Sequence, residues 1–373
     1  MKNKTHFHTL DALRFFAFLM VFFLHIPIQG NFTVFEFLKQ NGSLGVIFFF
    51  VLSGFLITYI LVNEKLNEGQ IHLGKFFFRR SFRIWPLYFL MVAVAFLTPY
   101  NFADKIGMHM VGGGYVPDWK FSFTFLENYK MLLADNFPRT TPLPVFWSLC
   151  IEEHFYLIWM LALFLIPVSR LRYFFIITIL TGIISRWVEM KISTNSMISS
   201  NDIFTNIDLF SSGALLGAAV AKNYNRIETK INSLSLFIKA GYLLFTVFAI
   251  LFHNLIFPWE NPISRIVSQT FYGFLFTGVI ALFMNGNSKF RIADTNILSR
   301  LGNISYGLYV YHIFCIHLLF QYFLKNKILI DSWSKLGFFI IISFFSTVFI
   351  SQFSYTYFEK PFLLLREKIK FKS

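Results

Sequence analysis

Arg14 and His25 stand on one apolar stretch, Leu10 to Pro27, which reads LDALRFFAFLMVFFLHIP. On an α-helix their spacing amounts to roughly 16 Å along the axis and about three turns, so both side chains point to nearly the same side. A guanidinium holds an anion, and an imidazole moves a proton near neutral pH. Such groups are expensive in lipid, so their presence on a segment long enough to span a bilayer marks a candidate site. The plainer alternative is an anchor, with Arg14 snorkelling to the inner surface and His25 marking the outer interface.

Three further groups carry potential chemistry. Arg80 and Arg83, within KFFFRRSFRIWPLY, share one face of a helical turn and suit bidentate contact with phosphate. Positive-inside anchoring would also explain them. Glu152 and Glu153, within FWSLCIEEHFY, sit inside an apolar run, where an acid must be paired or hydrogen-bonded. Glu152 and His25 lie at similar expected depth, which allows a carboxylate to orient an imidazole base. A bond from Glu152 to a neighbouring helix is the structural alternative. In ISYGLYVYH, Ser305, Tyr309 and His312 fall on one helical side. His312 reads equally as a buried core histidine. Asp208 and the turn Glu359-Lys360-Pro361 are additional polar positions, whereas Gly54, Gly213 and Gly217 are expected to permit close helix packing.

These residues need a scaffold, and the composition says which kind. The chain has 373 residues, of which 56% are hydrophobic and 14% charged, with 53 phenylalanines. Soluble domains carry about 25% charged residues, so this one cannot cover a water-facing surface. The fold expected is an all-α, polytopic membrane bundle forming a single integral domain over 1–373. About ten apolar runs are long enough to span, at 9–28, 44–62, 83–99, 145–167, 173–189, 206–221, 236–254, 266–284, 303–323 and 336–358. The first reads as a retained signal anchor.

The net charge is +14. Its lysines and arginines lie mostly in connections between apolar runs, which points to membrane topology and not to nucleic acid. Their larger share falls on one side, including Lys2, Lys4, Lys65, Arg79, Arg170, Lys222, Lys289 and the basic tail 359–373 with Lys370 and Lys372. Both termini are therefore expected in the cytoplasm. The longest connection, about 100–144, lies outside. It carries Gly112, Gly113 and Gly114 and several prolines, and is expected to form a lid or an acceptor-facing surface. Cys150 and Cys315 read as buried free thiols. No GxxxxGKS loop, His-Glu-x-x-His run or Cys-x-x-Cys pair occurs, and His6, His8, His72 and His109 lack ligand spacing, so no metal site is expected.

Taken in order, these motifs resemble the membrane acyltransferase-3 family of integral-membrane O-acyltransferases that decorate bacterial surface polysaccharides. Arg14 and His25 resemble its Arg-x10-His pattern, and GVIFFFVLSGFLI its second-helix run. Arg80 and Arg83 resemble its Arg-x-x-Arg motif, and FWSLCIEEHFY its Trp-Ser-Leu-x-x-Glu block, with the acid at Glu152. Ser305 to His312 and Phe358 to Pro361 resemble its last two blocks. Asn206 stands where an Arg-x-Asp block ending at Asp208 usually has Arg, Cys150 replaces a Ser, and His154 a Gln. The hydrolase-like domain that some relatives append is not expected here.

The resemblance implies a cytosolic acyl-CoA donor, foremost acetyl-CoA, and a glycan or lipid-linked saccharide acceptor outside the inner (cytoplasmic) membrane. Arg14, Arg80 and Arg83 would hold the donor, His25 would be the general base and Glu152 its support. Ser148, Tyr306 and Tyr309 would be secondary candidates for oxyanion stabilisation. Membrane lipid is the other expected partner, with an envelope protein added if direct transfer needs the missing domain. A transporter or flippase for an anionic lipid-linked substrate, or a non-catalytic binding module, would use the same intramembrane residues differently.

Overall fold

The computed structural model describes residue 7 and residues 9–109, 113–192, 201–284 and 291–368. Lys2, Lys4, His6, His8, Gly112, Lys289, Lys370 and Lys372 lie outside the described residues. Each expected span coincides with a helix. These are α1 (Thr9–Leu24), α2 (Leu44–Glu68), α3 (Leu73–Leu97), α4 (Phe146–Leu165), α5 (Leu171–Ile192), α6 (Ile203–Lys222), α7 (Leu236–Leu251), α8 (Pro262–Phe283), α9 (Ser305–Lys325) and α10 (Trp333–Ser354). Large apolar side chains such as Phe16, Ile177, Phe237 and Phe349 face outward, as they do where lipid and not water is the solvent.

Among the described residues, eight helices are long and apolar enough to cross a membrane, and nine if Tyr224–Asn232 and α7, bent by 94°, form one span. The expected ten includes α1, which has only 16 residues. At 1.5 Å per residue it covers about 24 Å, short of a hydrocarbon core of about 30 Å. Pro27 is the physical reason: it has no N–H to donate and drives Ile26 out of helical geometry. The last turn tightens, with the His25 and Ile26 amides donating to Phe22 and Phe23 carbonyls at 3.2 Å.

The chain divides into two compact units. The first comprises Met1–Met20, Asn41–Ile71 and His154–Asn303, and the second Val21–Gln40, His72–Glu153 and Ile304–Ser373. α1 and α4 each contribute to both.

The first unit is built on small residues. A side chain at Gly54 would run into the backbone of Phe210, and one at Gly213 or Gly217 into that of Val51 or Phe55. The bare glycines let α2 and α6 approach backbone to backbone, which is how helices associate where no hydrophobic effect separates them from lipid. Helix ends are closed locally. Asp202 accepts from the Phe204 amide at the start of α6, and Asn261 from Ile263 ahead of Pro262 in α8. Lys65 donates to the carbonyls of Leu163, Phe164 and Ile166 at the end of α4, where cations suit the helix dipole. Arg186 and Asp208, both buried, form a two-bond ion pair at 2.9 and 2.8 Å.

In the second unit, α10 runs through a π-helical turn, Tyr355–Glu359, into Lys360–Lys368. The turn carries Glu359 inward, where it accepts from Ser354 at 3.1 Å; Tyr311 of α9 in turn donates to Ser354 at 3.1 Å. The long connection is built, with short helices at Tyr100–Ile106, Trp119–Phe123 and Glu127–Ala134. Its centre is Glu127, fully buried, which accepts from Ser122 and from the Tyr115 hydroxyl. Cys150 and Cys315 are buried free thiols, as expected.

Candidate active site

The second unit brings His25, His312, Tyr309, Ser148 and Glu152 into one cluster. His25 follows the last residue of α1, and its Nδ1 lies 2.8 Å from the Val21 carbonyl oxygen one turn back. A carbonyl only accepts, so Nδ1 carries the proton and donates. His312 is fully buried on α9, and its Nδ1 lies 2.5 Å from the Tyr309 carbonyl, which fixes the same tautomer. Nε2 of each ring is then the lone-pair nitrogen. His312 Nε2 stands 3.3 Å from His25 Nδ1 and so receives a second share of that N–H. The rings meet edge to face, with centroids 5.0 Å apart. His25 is half-buried, and both of its ring contacts are made by Nδ1.

Among the described residues, the hydrogen bonds of the His25 ring go to Val21 and His312, and not to the carboxylate that the sequence suggested as its support. Glu152 sits one turn along α4 from Ser148, half-buried, and its charge acts on the Tyr309 hydroxyl. It belongs to the cluster through Tyr309. Depth along a helix, which the sequence supplied, says nothing about which helix faces which.

The expected oxyanion donors are tied down. Ser148 and Tyr309 hydroxyls are 2.6 Å apart, and both also reach the Val145 carbonyl, at 3.2 and 3.4 Å. Each hydroxyl has a single hydrogen, so these bonds consume both. Tyr306 donates to the Ile84 carbonyl on α3 at 2.8 Å. The three side chains fasten α9 to its neighbours within the unit.

Arg80 and Arg83 are half-buried on α3. Each feels a buried carboxylate: Glu153 faces the charge of Arg80, and Glu359 that of Arg83. Glu153 also accepts from Trp85 Nε1 at 3.1 Å. The sequence pointed to Glu152 and to the Glu359 turn, but nothing in it assigned Glu153 to Trp85. In the first unit, Arg14 is paired with Asp11 one turn before it on α1. Asp11 is held in turn by close packing of its backbone on Gly302. Asp208 belongs to the first unit, in the ion pair with Arg186.

A family model described as an acyltransferase domain matches residues 7–353. The chain belongs to this acyltransferase family. It is 28% identical to the putative peptidoglycan O-acetyltransferase YrhL of Bacillus subtilis (strain 168), over 97% of this chain and 56% of the relative. It is 28% identical to the peptidoglycan O-acetyltransferase OatA of Listeria monocytogenes, over 83% and 49%. It is 25% identical to the O-acetyltransferase OatA of Staphylococcus aureus (strain NCTC 8325 / PS 47), over 97% and 58%. The chain spans about half the length of the curated relatives it matches. No solved structure matches it.

Arg186 supplies Asp208 with the partner that Asn206 cannot. Asp208 finds its guanidinium on α5 instead of two residues earlier on its own helix. Arg186 also donates to the Thr205 and Ile266 carbonyls, Gln269 and Thr270, and Thr270 donates to Asp208 at 2.5 Å. The signal available in the sequence was a lone arginine inside an apolar run, followed by a lone aspartate in the next.

Proposed function

We propose that this polytopic acyltransferase is an O-acyltransferase, foremost an O-acetyltransferase, that moves an acyl group from acyl-CoA to a hydroxyl of a cell-envelope glycan. The observation that carries the reading is the fixed tautomer of His25, with Nδ1–H held by Val21 and Nε2 available as a base. The relatives' printed names, which specify peptidoglycan for two of them, favour a glycan acceptor and the cytoplasmic membrane of a bacterium as the setting.

In this reading the acceptor O–H gives its proton to His25 Nε2 as its oxygen attacks the thioester carbonyl. The C–S bond breaks, the acyl group stays on the new ester oxygen, and the CoA thiolate takes the proton back from His25. His312 and Val21 hold the ring in the tautomer and orientation this needs. Glu152, acting through the Tyr309 and Ser148 pair, stabilises positive charge that develops in the cluster. Tyr306, Tyr309 and Ser148 position α9 and do not serve as oxyanion donors, because their hydrogens are already engaged.

Arg80 and Arg83 suit the phosphates of CoA. They are half-buried three residues apart on α3, where two guanidinium forks share one face of a turn and can address one phosphate group. Binding of acyl-CoA to purified protein tests this part: Arg80→Ala and Arg83→Ala should each weaken it by roughly tenfold or more. Unchanged binding in both would remove the phosphate assignment.

A further inference from the structure

The first unit contains a cavity of about 280 Å³ that the reaction above does not use. It forms where the start of α2, the last turns of α5, the segment after α7 and the first turns of α8 converge. The charge bias of the connections places this end of the unit outside the membrane. The volume is near the lower end of small-molecule pockets, roughly 300–1,000 Å³.

The walls are more apolar than polar, and their charges nearly balance once Asp208 is set against Arg186. Arg186 lines the cavity, yet its N–H groups are committed and Asp208 neutralises it. Arg265 lies over the Trp259 ring, 4.6 Å from its centroid, and Glu189 supplies a carboxylate. An anion entering here would gain little net attraction and would meet Glu189. Among the other lining groups are the hydroxyls of Ser264 and Ser268 and the imidazole of His253.

The imidazole is oriented. Tyr272 donates to the Ala249 carbonyl at 2.7 Å, so the His253 contact at 3.1 Å has Nδ1–H donating to the Tyr272 oxygen. Nε2 is left as an acceptor. Burial disfavours the charged form of the His253 ring. Trp259 is 66% exposed, with Arg265 on one face of the indole. An aromatic face beside hydroxyls, a carboxylate and an imidazole matches a flat ring that has C–H groups on its faces and hydroxyls on its rim.

We propose that this cavity is a binding site for a neutral sugar ring, stacked on the open face of Trp259 and hydrogen-bonded by Glu189, His253 and the α8 serines. The identification of that sugar as part of the acceptor rests on the acyltransferase reading; the binding itself does not.

The test uses full-length protein in phosphatidylcholine nanodiscs, which avoids sugar-headed detergents, without acyl donor. Maltotriose, N,N′,N″-triacetylchitotriose and inorganic phosphate are the probes, read by saturation-transfer NMR and calorimetry. At least one trisaccharide should bind, Trp259→Ala should weaken it about tenfold or more, and Ser268→Trp, which fills the cavity, should abolish it. Phosphate should neither bind nor compete. Thermal unfolding checks each variant, and if Ser268→Trp does not fold, the exposed Trp259→Ala decides. Wild type that binds neither trisaccharide, binding untouched by Trp259→Ala, or a site that prefers phosphate would overturn the proposal. The two readings fail separately. Absent sugar binding with normal acyl transfer removes the cavity assignment alone. Sugar binding with full activity in His25→Ala removes the catalytic assignment alone.

Discussion

His25 Nδ1 and His312 Nε2 lie 3.3 Å apart, while each ring's Nδ1 also faces a carbonyl of its own chain segment. Two imidazoles locked in the same tautomer are a means of holding one lone pair in a fixed direction. If His312 only positions His25, His312→Ala should lower kcat by about 10- to 100-fold, by analogy with hydrogen-bond partners that orient metal-binding histidines. KM for acyl-CoA should hardly move. Steady-state kinetics with purified protein checks this, and a rise in KM at constant kcat would place His312 in donor binding instead.

The buried pair Arg186–Asp208 predicts a strong asymmetry between single and double substitutions. Asp208→Leu alone leaves a buried guanidinium uncompensated and should cost about 3–5 kcal/mol. Arg186→Met together with Asp208→Leu should recover much of that loss. Thermal unfolding in nanodiscs measures both, and equal destabilisation by single and double variants would contradict the pairing.

Backbone contact between α2 and α6 predicts that Gly213→Leu is not tolerated. The added side chain meets the Val51 backbone, which cannot rotate away, so the cost should be at least the roughly 1–3 kcal/mol of an overpacked core. Size-exclusion profiles and melting temperatures check it. Gly241→Leu, where a side chain meets open space, is the control and should stay near wild type.

The connection between α3 and α4 should be sensitive to pH through Glu127. Burial lifts its carboxyl above the ordinary value of 4.5, while the bonds from Ser122 and Tyr115 pull it back. The folded loop therefore holds the proton more tightly than the unfolded loop. Its stability is fully present below about pH 4.5 and falls as pH rises through the raised value. Hydrogen exchange over Tyr115–Ala134 should accelerate across that window, beyond the intrinsic pH dependence of exchange, and Glu127→Gln should flatten the excess.

The helices were legible because each apolar run is long and few compete with it. The close-packing glycines were legible too, since a bare residue inside a lipid-facing run has few other uses. The meeting of His25 with His312 was not, because periodicity gives the face of a helix but not the helix it will meet. Both histidines carry a signal, yet Glu152 matched His25 in depth equally well. Arg186 was hidden for the same reason: its partner Asp208 belongs to the next helix, and only packing brings them together. Glu127 was hidden by its setting in a loop, where an acid ordinarily means exposure.

The central claim is that His25 Nε2 takes the acceptor proton, and the most direct measurement is acyl transfer by His25→Ala, beside wild type, in protein that is folded and still binds acyl-CoA. A loss of kcat on the order of 100-fold or more, with donor binding retained, is the expected result. Transfer at the wild-type rate by folded, donor-binding His25→Ala would contradict the account.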